Sequence, residues 1–183
     1  MNIIQSKLDD VLIIEPDIFE DSRGYFMEIY QQQRYFQAGI DCIFVQDNIS
    51  HSAYGTIRGL HYQLTTPQAK LVCVVKGTVV DVVVDIRCGS SSFGEWIGIE
   101  LSDTNKRQAF IPEGFAHGFS VLSDTAIVIY KCSNAYDPDD EKGILYSDPD
   151  ICIDWKVKKH LVSPKDTLNQ CLRKIPENQL PKY

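Results

Sequence analysis

The fold is decided by Gly55-Thr56-Ile57-Arg58-Gly59-Leu60-His61-Tyr62-Gln63, taken together with Ile111-Pro112-Glu113-Gly114-Phe115-Ala116-His117-Gly118-Phe119. The first stretch sets a glycine, five residues and then a histidine. The second, about 50 residues later, follows the pattern Pro-x-Gly-x-x-His. In a β-strand, residues two apart share a face. Gly59, His61 and Gln63 are therefore expected to point the same way and, in a small barrel, to line its pocket.

Around these stretches the chain is dominated by short β-branched and aromatic runs separated by turn clusters, which is typical of strands. The alternation between residues 79 and 86 predicts a strand with Val80, Val82 and Val84 on a core face and Asp81 and Asp85 on the other. Many short strands at close spacing predict a mainly β sandwich or barrel, the class that includes jelly rolls. The runs predicted as strands are 11–14, 42–45, 70–75, 79–86, 96–101 and 126–132.

Helix signals are few. Residues 31–38, closed by Gly39, predict one helix. A second is predicted to begin at Ser163 and Pro164, with Asp166 in its first turn. No repeat or linker interrupts the pattern, so we expect a single domain over residues 1–183.

Composition and net charge limit the classes of function that the chain could have. The chain has 183 residues, 44% hydrophobic and 23% charged, with a formal net charge of −7. This balance predicts a globular protein and argues against a general nucleic-acid binder, although Arg23, Arg58, Lys70 and Arg107 could form a local basic pocket for an anionic small molecule. No apolar run is long enough to span a bilayer, and no signal-peptide layout is present at the N-terminus. The six cysteines lack metal-like spacing and are expected to be small buried side chains in a reducing cytoplasm.

Four side chains could carry acid–base chemistry, and each has an ordinary structural alternative. His61 is either a packed histidine or a general base. Lys70 is either a solvated residue opening a strand or an inward cation that stabilises an oxyanion. Tyr130 is either a core aromatic or a general acid. Asp166 fits a first-turn helix acid as well as it fits a partner of His61, and spacing alone cannot connect the two.

His117 has three open roles from its chemistry: a metal ligand, a hydrogen-bond donor to a substrate, or a packed residue. The two histidine stretches resemble the two signatures of the cupin superfamily, whose fold is a jelly-roll barrel, or double-stranded β-helix. Metal-binding cupins usually carry His-x-His followed by a glutamate, whereas this chain has Gln63 and, near the glutamate position, Gln68. The resemblance therefore implies a barrel without the usual metal ligands and acid–base chemistry by side chains alone.

A closer resemblance covers most of the chain. Six segments, in the same order and at similar spacing, resemble the dTDP-4-dehydrorhamnose 3,5-epimerase family: residues 19–28, 44–50, 58–63, 68–72, 111–119 and 130–132. This resemblance implies a cofactor-free, cytoplasmic isomerase of dTDP-L-rhamnose and envelope polysaccharide biosynthesis. It would convert dTDP-4-dehydro-6-deoxy-D-glucose into dTDP-4-dehydro-L-rhamnose by inverting C3 and C5 through enolates. The family is a homodimer with strand exchange, so residues 23–28 are expected to serve the partner's pocket.

The same resemblance implies a role for each candidate. His61 would be the base, oriented by Asp166. Tyr130 would be the acid on the opposite face, and Lys70 would stabilise the enolate oxygen. Tyr136 would stack on thymine, although the preceding Ala135 stands where many members have a second tyrosine. The remaining substrate-contacting positions implied are Arg23, Phe26, Glu28, Gln46, Asn48, Arg58, His117, Glu141 and Lys165.

Three other functions are weighed against this one. A metal-dependent cupin would need three or four ligands, and the sequence offers two histidines and weak amide ligands. A sugar-binding module on the same barrel would have no need of His61, Lys70 and Tyr130 together. A sibling epimerase, inverting C3 alone or acting on another nucleotide-linked 4-keto-6-deoxy sugar, is not separated by any motif and is the main alternative.

Overall fold

The computed structural model describes residues 1–183. Two antiparallel sheets face each other, and a short hairpin stands apart from both. The strands are β1 (Asn2–Gln5), β2 (Leu12–Glu15), β3 (Ile18–Asp21), β4 (Gly24–Met27), β5 (Gln46–Ala53), β6 (Thr56–Gln63), β7 (Lys70–Lys76), β8 (Thr78–Asp85), β9 (Trp96–Ser102), β10 (Gln108–Ile111), β11 (Phe115–Val121), β12 (Thr125–Cys132), β13 (Glu141–Gly143) and β14 (Leu161–Val162). The helices are α1 (Gln32–Gln37), α2 (Pro164–Thr167) and two 3-10 turns, Leu172–Lys174 and Glu177–Gln179.

The first sheet has the strand order β1-β2-β10-β7-β12-β5. The second has the order β13-β6-β11-β8-β9, with β14 added in parallel to β6. Strands β3 and β4 pair only with each other. Two stacked antiparallel sheets with sequence-distant strands as neighbours form the predicted jelly-roll barrel, and the mainly β prediction is confirmed.

The space between the sheets is filled by inward side chains from both, such as Val72 of β7, Val83 of β8 and Val128 of β12. A second cluster lies on the outer face of β8, where Val80 and Val82 pack with residues of the C-terminal segment such as Trp155. A third joins α1 to the outside of the first sheet. None of the helices has the length and apolar character that crossing a membrane requires.

Both helix predictions are confirmed. Gln31 caps α1 by accepting from the Arg34 backbone N–H, and Gly39 ends it with a φ of +92°. The hydroxyl of Ser163 accepts from the Asp166 N–H at 3.1 Å and Pro164 opens α2. These starts and stops could be predicted because capping is local chemistry.

The strand prediction at 42–45 is wrong. Ile43 and Val45 are exposed, and the chain joins the sheet only where the Val45 N–H donates to the Cys132 carbonyl, after which β5 begins at Gln46. The run is apolar because Phe44 packs edge-on against Tyr30, at 5.2 Å between ring centroids. Local β propensity does not decide whether a partner strand lies alongside.

The expectation that β8 buries only one face is also wrong. Asp81 and Asp85 are fully buried along with the valines, because the first sheet covers one face and the C-terminal segment covers the other. The cysteine prediction holds in part. All six cysteines are free, but only Cys73 and Cys132 are buried, and Cys152 is exposed.

Candidate active site

A cavity of about 830 Å³ opens between the two sheets. Its walls carry most of the candidates: Gln46, Asn48, Arg58, His61, Lys70, His117, Tyr130, Tyr136, Glu141, Lys165 and Asp166. The two sheets supply opposite walls, since His61 and His117 stand on β6 and β11 whereas Lys70 and Tyr130 stand on β7 and β12. Side chains distant in sequence therefore face one another across a space large enough for a small molecule.

The two histidines of the motifs are cross-strand neighbours, because β6 and β11 pair His61 with His117. On this pair of strands the register shifts between His117 and Phe119, so that one extra residue is accommodated in β6. Gly59 and Gly118 allow the two strands to approach closely enough for this bulge. A Cβ on Gly59 would lie 2.6 Å from the His117 carbonyl oxygen, and one on Gly118 would lie 2.5 Å from the Arg58 carbonyl oxygen.

This bulge changes which residues face the cavity. Arg58 and His61 both line it, although they are three positions apart. Gln63 does not line it, so the expectation that this residue lines the pocket with His61 is wrong, although residues 61–63 pair with β13 in regular register. Its amide nitrogen instead donates to the Thr66 and Ala135 carbonyls, and its amide oxygen accepts from the Asp137 N–H. Gln63 thus links the loop that contains Thr66 to the loop that contains Ala135 and Asp137.

His61 is held by a carboxylate from the far end of the chain. Its Nε2 lies 2.7 Å from Oδ1 of Asp166, which is buried at the start of α2. Burial by itself would raise the pKa of Asp166, but hydrogen bonds from His61 and Ser163 outweigh it and the pKa lies below its usual value. An ionised Asp166 fixes the proton of His61 on Nε2, which leaves the Nδ1 lone pair free.

The Nδ1 side of His61 faces Glu141, whose Oε1 is 3.9 Å away. Glu141 also forms an ion pair with Lys165 and accepts a hydrogen bond from the Tyr136 hydroxyl at 3.3 Å. The Tyr136 backbone N–H in turn donates to Oε1 of Gln46 at 2.7 Å. These contacts form a polar rim at one end of the cavity, with the half-exposed Tyr136 ring available for stacking.

His117 has the same kind of partner as His61. Its Nε2 lies 2.7 Å from Oδ1 of the fully buried Asp81 on β8. Sequence reasoning missed Asp81, although a carboxylate within the apolar run 79–86 is a signal for a buried polar partner. The second Asp81 oxygen has no hydrogen-bond partner. No group of three or more His, Cys, Asp or Glu side chains is arranged to hold a metal ion.

Lys70 points into the cavity and forms neither a hydrogen bond nor an ion pair, so the prediction of an inward lysine is favoured over a solvated one. Burial lowers the pKa of its ammonium group. Tyr130, on the neighbouring strand, also lines the cavity, and burial raises the pKa of its phenol. The site therefore presents a neutral phenol and an unpaired lysine side chain opposite His61.

Three residues that were predicted to contact the substrate do not line this cavity. Arg23, Phe26 and Glu28 lie on or just after the β3–β4 hairpin, where Arg23 pairs with Asp21 and Glu28 pairs with Arg34. Phe26 is 70% exposed. The expected basic pocket is also smaller than proposed from the sequence, because Arg107 pairs with Glu15 away from the site. Within one chain, only Arg58 and Lys70 of that set line the cavity.

Comparison with known proteins gives a consistent result. The family model described as dTDP-4-dehydrorhamnose 3,5-epimerase matches residues 5–174. The chain is 53% identical over 172 residues to the protein of that name from Shigella flexneri, covering 93% of this chain and 95% of that protein. It is 49% identical over 176 residues to the one from Methanothermobacter thermautotrophicus, covering 94% and 95%.

A solved structure is similarly close. The dTDP-6-deoxy-D-glucose-3,5-epimerase of Legionella pneumophila, in complex with dTDP-4-keto-L-rhamnose, superposes with a TM-score of 0.97. The two sequences are 50% identical, and the match covers 100% of this chain and 98% of that one.

Proposed function

The chain belongs to the dTDP-4-dehydrorhamnose 3,5-epimerase family, and from that premise we propose how its cavity performs the reaction. The protein is an epimerase that inverts C3 and C5 of dTDP-4-dehydro-6-deoxy-D-glucose to give dTDP-4-dehydro-L-rhamnose. The observation that carries the mechanism is the placement of His61, backed by Asp166, on one wall of the cavity, with Tyr130 and the unpaired Lys70 on the other.

Both carbons lie next to the C4 ketone, so their hydrogens are acidified by the same carbonyl. His61 takes the proton through Nδ1, because its Nε2 is engaged by Asp166. The electron pair moves onto the ketone oxygen and gives an enolate. The Lys70 ammonium stabilises that oxygen, and because it has no competing partner in the protein it needs little reorganisation.

Inversion requires the new proton to arrive on the opposite face of the enolate. Tyr130 stands on the sheet facing His61 and is neutral at physiological pH because burial raises its pKa. It therefore acts as the general acid. Protonation at carbon restores the ketone and leaves His61 protonated and Tyr130 as a phenolate. Both groups return to their starting states by proton exchange with solvent before the same pair serves the second carbon. The transferred protons are exchanged with solvent between turnovers.

We include the remaining cavity residues in the proposal as contacts to the nucleotide sugar. His117, whose Nε2 is engaged by Asp81, accepts a hydrogen bond from a sugar hydroxyl through Nδ1. Tyr136 stacks on the base, and its ring is open to solvent on one side. The other proposed contacts are Gln46, Asn48, Arg58, Glu141 and Lys165.

We further propose a homodimer in which the β3–β4 hairpin enters the partner's cavity. The hairpin pairs with no other strand of its own chain and exposes Phe19, Tyr25 and Phe26. Exposed aromatic side chains of this kind usually mark a contact surface. Arg23, Phe26 and Glu28 would then contact substrate in the partner. We also propose a single functional domain and a cytoplasmic location in envelope polysaccharide synthesis, which the six free cysteines support.

Deuterium exchange tests the function directly. Purified protein is incubated with dTDP-4-dehydro-6-deoxyglucose in D₂O, and C3 and C5 are followed by NMR. Deuterium at both carbons with inverted configuration is expected, and it should be absent with the His61→Ala variant, which should still bind dTDP. Exchange at C3 alone would make the protein a 3-epimerase. No exchange at either carbon would point to another nucleotide sugar.

A further inference from the structure

A basic segment of the chain ends at a residue that lines the cavity. Residues 156–160, here named the basic rim, read Lys-Val-Lys-Lys-His, and no carboxylate follows until Asp166. Such a concentration of positive charge is unusual in a chain with a formal net charge of −7. Lys156 is paired with Asp154, but Lys158 and Lys159 are exposed and form no ion pair.

Both ends of the basic rim are fixed. Before it, Trp155 is buried, donates its indole N–H to the Tyr146 carbonyl and accepts from the Ser120 hydroxyl at 2.6 Å. After it, the Leu161 N–H donates to the Gly55 carbonyl at 2.8 Å, and β14 runs parallel to the first residues of β6. The segment is therefore held against the strand that carries Arg58 and His61.

His160 is the member of the basic rim that lines the cavity itself. Its ring meets Tyr146 edge-on, at 5.8 Å between centroids, while the residue as a whole remains exposed. Because β14 pairs Leu161 with Thr56 and Val162 with Ile57, His160 lies beside the end of β6 that leads directly to Arg58. The Arg58 guanidinium bonds only the Ser52 hydroxyl.

The anionic part of the ligand needs cations that are free to bind it. Lys165 is already paired with Glu141, and Lys70 lies inside, where the proposed enolate forms. Within one chain Arg58 is the one unpaired guanidinium among the cavity residues, and the partner's Arg23 would add a second through the proposed hairpin exchange. Unpaired cations beside a cavity raise the local concentration of an anionic ligand there, before the groups inside the cavity bind it.

We propose that the basic rim captures the diphosphate of the nucleotide sugar, with His160 donating a hydrogen bond to a phosphate oxygen and Lys158 and Lys159 attracting the anion. This inference rests on the proposed function for the identity of the ligand. It assigns part of the affinity for the diphosphate, as opposed to the nucleoside, to a segment outside the acid–base machinery.

The probes are dTDP and thymidine, and their affinities are measured by calorimetry at about 20 and about 300 mM salt. The variants are K158Q/K159Q and His160→Ala. A double variant, K7Q/K76Q, removes the same charge from exposed positions outside the cavity. We expect K158Q/K159Q to weaken dTDP binding by about three- to tenfold at low salt and to flatten its salt dependence. Thymidine binding and kcat should not change.

His160→Ala should weaken dTDP binding at both salt concentrations and leave thymidine binding as it was. Unaltered dTDP affinity in both rim variants would overturn the proposal, as would an equal loss in K7Q/K76Q, because the effect would then follow net charge alone. The measurement does not depend on turnover. If the wild-type protein failed to epimerise the nucleotide sugar, the proposed function would fail while dTDP binding still decided the role of the basic rim.

Discussion

Replacing Lys70 by methionine separates the proposed catalytic role from a structural one. Methionine has a similar length and no charge, so K70M removes the cation that faces the enolate oxygen and little else. For an ammonium about 4 Å from a unit negative charge, with an effective dielectric constant of about 20, the interaction is about 4 kcal/mol. Loss of one oxyanion-stabilising group typically costs about 10²–10³ in rate. We expect kcat to fall by that factor.

Although its kcat should fall, the K70M protein should be as stable as the wild type or more stable. Burial lowers the pKa of Lys70, so the folded state disfavours its charged form. This cost is fully present below the lowered pKa and is relieved as the pH rises from there toward the unfolded value of 10.5. Wild-type stability should therefore rise with pH across that window relative to K70M, and K70M should be at least as stable near neutrality.

The assay combines three measurements on each variant: NMR-detected turnover in D₂O, dTDP affinity by calorimetry and thermal unfolding. K76M is the matched control, because Lys76 is exposed at the other end of the same strand, about 20 Å away. Wild-type activity should decline as the pH rises through the lowered pKa of Lys70, and K70M should lack that decline. A K70M protein with kcat within tenfold of wild type would refute the oxyanion role. So would a parallel loss of dTDP binding.

Three further perturbations test other parts of the site and fold. Tyr130→Phe should still exchange deuterium at C3 and C5, because the base is intact, but inversion seen by NMR should fall by about 10²–10⁴; inversion at the wild-type rate would exclude it as the acid. If the hairpin serves the partner's cavity, mixing inactive Arg23→Ala and His61→Ala proteins should restore about a quarter of wild-type activity through mixed dimers, and no recovery would contradict the exchange. Although burial opposes it, hydrogen bonds from Arg87 and two serines hold the pKa of Asp85 at about 2. Asp85→Asn should lower the free energy of unfolding by about 3–5 kcal/mol in urea titrations at pH 7, since it leaves a buried guanidinium with only its longer ion pair to Asp10. The wild-type advantage should disappear as the pH falls from about 4 toward 2, and an unchanged urea midpoint at pH 7 would show that the pair contributes nothing.

Much of the site could be predicted from the sequence, because most of its residues lie in recognisable motifs. Spacing drew attention to His61 and His117, and the family resemblance supplied Lys70, Tyr130 and Asp166. The structure brings all five to one cavity. The errors in predicting the cavity lining concern β6, where a simple two-residue alternation does not describe the strand. Alternation predicted Gly59, His61 and Gln63 in the pocket, whereas the bulge in β6 brings Arg58 to the cavity wall. Gln63, at the end of β6, is engaged by hydrogen bonds to loop residues.

Other residues had no local signal strong enough to find them. Nothing in the spacing of residues 81 and 117 indicates a hydrogen bond, yet the pairing of β8 with β11 places Asp81 diagonally across from His117. His160 lies in a segment that looks like an ordinary charged loop, and it lines the cavity only because β14 ties it to β6. Strand pairing over long sequence distances produces both contacts.

Local sequence patterns are enough to predict the mainly β class, the two capped helices and the residues with acid–base chemistry. These follow from side-chain periodicity, capping and chemical type, which act within a few residues of the chain. Tertiary structure decided which faces were buried and which groups met. Asp166 reaches His61 across 105 positions, and Asp81 and Asp85 are buried because the C-terminal segment covers the outer face of β8. Such contacts form only when the two sheets pack against each other. The apolar surface buried by that packing outweighs local conformational preferences, and no single position of the sequence encodes it.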